Sequence, residues 1–334
     1  MSRALQLAIG VLISAVALWY AMHGVRPAEV WAALRRADYL GFAGLAALTL
    51  LGFWLRALRW RWLISRPRPI PMGALFSATM IGFLANNLLP LRLGEFVRAW
   101  ALGRREGLSK TTVFATVVVE RVVDLITLIA IFGFAVLVHP IVEGTEAARL
   151  VRRGAEAMIV MAAGMTALMV ILERRPRLAR ALVRLVARPL PERLRGGSEM
   201  MLDRFVDGLA LFRDLPRLVW VFALSFVMFG VFALCLTVSM WAFHIDQPWY
   251  AGLVMLVITA IGIMVPAAPG YIGTLHFACK VGLGLFGVAP EISVPFSWFF
   301  WAGQWIPITV VGLVCLRREG LSLASLGRAR DVPG

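Results

Sequence analysis

Residues 86–95, NNLLPLRLGE, and residues 265–274, VPAAPGYIGT, interrupt two hydrophobic stretches in the same way. In each, a proline is followed four positions later by a glycine and then a polar residue: Pro90, Gly94 and Glu95, then Pro269, Gly273 and Thr274. Proline cannot donate to the helix ladder, so each stretch breaks a helix inside apolar sequence. Breaks matched between two halves of a chain point to an internally duplicated membrane transporter, whose freed backbone dipoles face a substrate near the bilayer midplane. The pattern predicts transport rather than chemistry.

The surrounding composition sets the solvent. Of 334 residues, 60% are hydrophobic and 16% charged, with mean hydropathy +0.81, which excludes an ordinary soluble globule. A bilayer core requires roughly 20 apolar residues per helix. Such runs fall at 4–22, 40–58, 112–138, 155–172, 217–243 and 292–316, while 73–89 and 249–288 contain the breaks. The first run lacks a small-residue cleavage site and ends at Trp19, Tyr20 and His23, so it is read as a retained helix. Cys235, Cys279 and Cys315 show no CxxC spacing, and neither a disulfide framework nor a metal site is expected.

The net charge of +15 is read as membrane orientation rather than nucleic-acid binding. Basic clusters at Arg56–Arg68, at Arg104, Arg105 and Lys110, along 174–217, and at Arg317 and Arg318 are all assigned to the cytoplasm. With the N-terminus inside, that assignment requires 73–110 to enter and leave on the cytoplasmic side and 249–290 to begin and end outside. The expected fold is therefore an all-α polytopic membrane protein. It has about six full transmembrane helices and two broken re-entrant hairpins in an inverted repeat. The whole chain is one membrane domain: repeat one spans about 40–138, a basic cytoplasmic linker 173–216, and repeat two about 217–316. Within the linker, Leu178, Leu182, Leu185 and Val186 share a helical face opposite four arginines, as in an interfacial helix.

Charges at membrane depth cost several kcal/mol unless paired or hydrated, so each is a candidate functional residue. Arg92, Glu95 and Arg98 follow the first break, and Glu95 and Arg98 share a helical face. Asn86 and Asn87 can satisfy backbone groups that the break leaves open. Glu120, Arg121 and Asp124 lie on the order of 12–18 Å into the helix that starts near 112. Two carboxylates four residues apart need a cation between them, which Arg121, Arg92 or Arg98 can supply. After the second break, Gly270, His276 and Lys280 complete the candidate set. His276 can equally be a packing residue, and Lys280 can equally reach the interface. The chain has no GxxxxGK[ST], HExxH or GxSxG motif, so ATP hydrolysis and the common hydrolase chemistries are not expected.

The segments NNLLPLRLGEFVRAW, VVVERVVDL and PAAPGYIGT resemble the membrane region of the lysylphosphatidylglycerol synthase and flippase family, which includes the multiple peptide resistance factor group and its stand-alone relatives. The resemblance covers essentially the whole chain. It implies a lipid flippase with two re-entrant hairpins. The large soluble aminoacyl-transfer domain of the full-length synthases is missing, so aminoacylation is not expected. An arginine that the family tends to carry in its last helix is replaced here by Phe300 and Trp301.

The resulting expectation is a cofactor-free flippase, not an enzyme, in a bacterial inner membrane with both termini cytoplasmic. It would move an anionic or zwitterionic phospholipid or a polyprenyl-phosphate lipid, with homo-oligomerisation left open. The rivals are an intramembrane enzyme that modifies lipid headgroups and a non-transporting partner of a lipid synthase or glycosyltransferase.

Overall fold

The computed structural model describes residues 3–64, 69–89, 93–138, 156–157, 159–168, 171, 174–175, 214–265 and 268–328. Every regular element among them is helical. In chain order these are α1 (Arg3–Met22), α2 (Pro27–Arg36), α3 (Tyr39–Leu63), α4 (Met72–Leu88), α5 (Gly94–Glu106), α6 (Lys110–Val138) and α7 (Ile159–Leu168). There follow α8 (Leu215–Ala242), α9 (Ala251–Met264), α10 (Thr274–Gly284), α11 (Pro290–Arg318) and α12 (Leu323–Arg328). Most of the basic linker, including the proposed interfacial helix, lies outside the described residues, as do Pro90 and Arg92.

α3, α8 and α11, with 25, 28 and 29 residues, are long and apolar enough to cross a membrane. α6 also has 29 residues but carries Lys110, Glu120, Arg121 and Asp124. Large apolar side chains stand exposed on outer helix faces, Leu40 at 80% and Met264 at 64%, as expected where lipid is the solvent. The molecule is an all-α, multi-pass membrane protein.

The two broken stretches form helical hairpins. α4 and α5 have 17 and 13 residues, and α9 and α10 have 14 and 11, so each is shorter than the roughly 20 residues of a full crossing. In the first hairpin, close approach depends on two glycines. A Cβ on Gly82 would lie 2.7 Å from Arg98 Cβ and 2.8 Å from the Gly94 carbonyl, while one on Gly94 would overlap that of Gly82. The second hairpin repeats this: a Cβ on Gly262 would meet Ala278 Cβ at 2.5 Å, and one on Gly282 would meet Met255 Sδ at 2.4 Å. Small residues of this kind let membrane helices approach to backbone contact, where dispersion replaces the missing hydrophobic drive.

The chain divides into two compact units. The first holds α1, α2, the start of α3, residues 79–98, the latter part of α8 and α9 to α12, so both breaks fall within it. α11 packs there through Gly303 against Leu45 and through Gly312 against Leu84. The second unit holds the end of α3, the start of α4, the remainder of α5, then α6, α7 and the start of α8. Its interior includes Trp60, which donates from Nε1 to Thr116 Oγ1 at 2.9 Å.

Candidate functional site

In the second unit, α3 and α6 bring together five charged side chains. Arg56 and Arg59, three apart, project from α3; Glu120 and Asp124, four apart, project from α6, each pair on one helical face. Arg56 Nη1 donates to Glu120 Oε1 at 2.9 Å and to Asp124 Oδ2 at 3.1 Å. Arg59 Nη1 lies 2.6 Å from Asp124 Oδ1 and donates to Ser225 Oγ at 2.8 Å, while its Nη2 is 3.2 Å from Glu120. Arg121 adds contacts to Glu120 at 3.0 Å and to Asp124 at 3.4 Å.

Desolvating an ion costs several kcal/mol, so such a group persists only when opposite charges surround it. The side chains of Arg59 and Glu120 are fully buried, whereas that of Arg121 is 41% exposed. Among the described residues, three guanidinium groups contact these two carboxylates. The cluster is internally paired, with Arg121 as its accessible member.

Arg121 is one of the cations expected to hold Glu120 and Asp124 apart. Arg56 and Arg59 are the others, and the assignment of both to a cytoplasmic basic flank is corrected. They are buried side chains of α3, drawn inward by the carboxylates of α6. The recoverable signal was their three-residue spacing inside an otherwise apolar helix, while the adjacent Arg61 is exposed.

In the first unit, the asparagines hold the first break. Asn86 Oδ1 accepts the Gly94 N–H at 2.8 Å, satisfying one of the open donors at the start of α5. Asn87 Nδ2 donates to Thr309 Oγ1 at 3.1 Å and to the Trp305 carbonyl at 3.5 Å, both on α11. Glu95 is half-buried, and Arg98 is 1% exposed beside Gly82.

The second break reaches the same part of α11. Pro269–Tyr271 forms a short 3₁₀ turn with Gly270 at φ 73°. A Cβ there would lie 3.0 Å from Trp305 Nε1 and 3.7 Å from the Asn87 carbonyl. The Gly270 carbonyl accepts from Trp301 Nε1 at 2.7 Å, and the rings of Trp301 and Trp305 stack with centroids 5.4 Å apart. Asn87, ahead of the first interruption, and Gly270, within the second, therefore both meet Trp305 of α11, while Trp301 holds Gly270. Gly273, at φ 93°, packs on the Ser14 carbonyl of α1, where a Cβ would overlap it. Phe300, where the resemblance implied an arginine, is 3% exposed and stacks on Phe296.

Three candidates have structural partners. Thr274 is buried at the start of α10. His276 is fully buried, with Nδ1 3.0 Å from Ser297 Oγ and its ring 4.1 Å from Trp298. Lys280 Nζ donates at 3.0 Å to the carbonyls of Tyr20, Ala21 and His23. An ammonium has three donors, so Lys280 is fully engaged in closing the C-terminus of α1.

Comparison with known proteins agrees with this architecture. A UPF0104 membrane protein from Methanothermobacter thermautotrophicus is 28% identical over 299 residues, covering 86% of this chain and 87% of its own. Glycosyltransferase AglD from Haloferax volcanii is 29% identical over 133 residues, 40% of this chain but 21% of that protein. The family model for the lysylphosphatidylglycerol synthase transmembrane region matches residues 7–312. With its paired hairpins and buried charges inside that match, the chain belongs to the lysylphosphatidylglycerol synthase transmembrane-region family.

Proposed function

We propose that the protein is a lipid flippase that is not driven by ATP and moves a phosphate-headgroup lipid between leaflets. The observation that carries this reading is the Arg56–Arg59–Arg121–Glu120–Asp124 cluster. A partly exposed guanidinium, Arg121, within apolar helices suits a transient phosphate, and arginine offers a planar fork for two phosphate oxygens. Arg121 makes first contact. Glu120 and Asp124 hold the three cations when the headgroup is absent and offer proton-accepting sites when it is present. The hairpins support the same reading, because broken helices provide backbone dipoles at depth without exposing them to hydrocarbon.

The orientation in this proposal has both termini cytoplasmic, in a bacterial inner membrane. It draws support from the last turns of α3, α5 and α11, which carry Arg61, Arg104 with Arg105, and Arg317 with Arg318. The two hairpins then enter from opposite sides as halves of an inverted repeat. The substrate is an anionic or zwitterionic phospholipid or a polyprenyl phosphate, and no bond in it is made or broken.

The partial likeness to a glycosyltransferase favours one alternative, a non-transporting partner of an enzyme that glycosylates lipids. Reconstitution separates the two. Purified protein in liposomes should accelerate leaflet exchange of at least one labelled phosphate lipid above empty vesicles. Exchange at the empty-vesicle rate across phosphatidylglycerol, phosphatidylethanolamine and polyprenyl phosphate would refute transport.

A further inference from the structure

Away from the ionic cluster and the breaks, the first unit contains a groove of about 460 Å³ beneath α2, within the size range of small-ligand sites. Val30 and Trp31 of α2, Tyr39 and Phe42 of α3, and Trp298 and Trp301 of α11 form its walls. α2 is amphipathic and built to stay: Pro27 opens it, Glu29 accepts the Arg26 backbone N–H at 3.2 Å, and Val30 packs with Val25 and Val294. The Glu29 carboxyl is held below its ordinary pKa by the Arg26 side chain.

Two features give the groove a polar end. Trp31 lies under the Arg35 guanidinium, 5.1 Å from ring centroid to Cζ, so the indole that walls the groove also fixes a cation at its rim. Arg36 follows, and both side chains are exposed without an acceptor among the described residues. A guanidinium stacked on a ring keeps its N–H fork turned outward. Charges nearby are few: Glu29 is occupied by Arg26, and Asp38 accepts the Leu40 N–H at the start of α3.

Membrane orientation does not explain these arginines. They stand before α3, whereas Arg61 closes the last turn of that 25-residue helix, about 33 Å from its start along the axis. On the α11 wall of the groove, Trp298 and Trp301 lie about 12–17 Å into the helix from Pro290, at the depth of lipid chains.

We propose that this groove is a binding site for an anionic phospholipid, with its phosphate on Arg35 and Arg36 and one acyl chain running under α2 to Trp301. The site is distinct from the ionic cluster and stands whether or not the protein transports lipid. Arginine paired with an aromatic belt suits a headgroup at the interface, and the mostly apolar walls suit a chain.

Native mass spectrometry of the intact protein in detergent, titrated with phosphatidylglycerol and with phosphatidylcholine of identical chains, tests the site. Phosphatidylglycerol should be retained in preference, and Arg35→Gln and Arg36→Gln should each cut that preference about fivefold. Ala302→Trp, which fills the groove from α11, should reduce occupancy of both lipids. Photo-crosslinking with an acyl-chain diazirine should label the α2 and 298–302 peptides, a result that needs no variant to fold. Equal retention of the two lipids, an unchanged preference in both arginine variants, or labelling elsewhere would overturn the proposal. So would cysteine cross-linking at Trp31→Cys that shows a second copy of the chain covering the groove.

Discussion

Arg59 Nη1 lies 2.6 Å from Asp124 Oδ1, and the arginine side chain is fully buried while the carboxylate side chain is 9% exposed. The pair fastens α3 to α6 at a depth where neither ion is stable alone. Removing Asp124 leaves three guanidinium groups around the single carboxylate of Glu120, a loss of about 3–5 kcal/mol. Asp124→Ala should therefore lower the detergent melting temperature more than any exposed-charge change in the protein. The double variant Arg59→Met with Asp124→Leu should recover much of the loss. A double variant no more stable than Asp124→Ala would show that the pair does not carry the packing.

The α4–α5 approach makes a second prediction. Gly82→Ala pushes a methyl against Arg98 and the Gly94 carbonyl, both backed by helix. Overpacking of this kind costs about 1–3 kcal/mol, and the hairpin has no slack to absorb it. Hydrogen exchange across residues 79–98 should rise in this variant, while exchange in α9 and α10 stays as in the native protein.

Lys280 separates capping from substrate binding. Its three bonds to the end of α1 involve a charged donor, worth roughly 1.5–3 kcal/mol each before the hydration of the ammonium is offset. Lys280→Met should raise hydrogen exchange in residues 18–24 and lower thermal stability, with lipid exchange per folded molecule unchanged. A selective fall in exchange rate at unchanged stability would instead place the ammonium on the substrate.

Trp301→Phe keeps the stacking on Trp305 but deletes the donor to the Gly270 carbonyl. The expected stability loss is about 1 kcal/mol. The sharper readout is intrinsic accessibility: a cysteine at Ala268 should label faster once the turn loses this tether. An unchanged labelling rate would mean that the turn is held by Ser14 and Trp305 alone.

The pattern of legibility follows from range. The helix interruptions were readable because Gly94, Pro269 and Gly273 act on their own backbone, and local chemistry is written in local sequence. The pairing of Glu120 with Asp124 on one face was equally visible, since four residues make one helical turn. Their partners were not. Arg56 and Arg59 near the end of an apolar run look like orientation markers, and only the packing of α3 on α6 distinguishes a buried guanidinium from a flanking one. Gly82 was hidden for a similar reason, because a glycine in a membrane helix is common and its meaning comes from Arg98 and Gly94 across the hairpin. Lys280 sits four residues from His276, but its carbonyl partners lie more than 250 positions earlier in the chain.

Arg121 is the accessible cation of the cluster, so its substitution perturbs the proposed headgroup contact with the least damage to packing. Lipid exchange in liposomes, measured for native protein, Arg121→Lys and Arg121→Ala at matched folded content, is the most direct test. The account predicts that Arg121→Ala loses at least tenfold in rate, about 1.4 kcal/mol or more of headgroup stabilisation, with Arg121→Lys in between. Native-like exchange in Arg121→Ala would contradict it, because the exposed guanidinium would then have no part in moving the lipid.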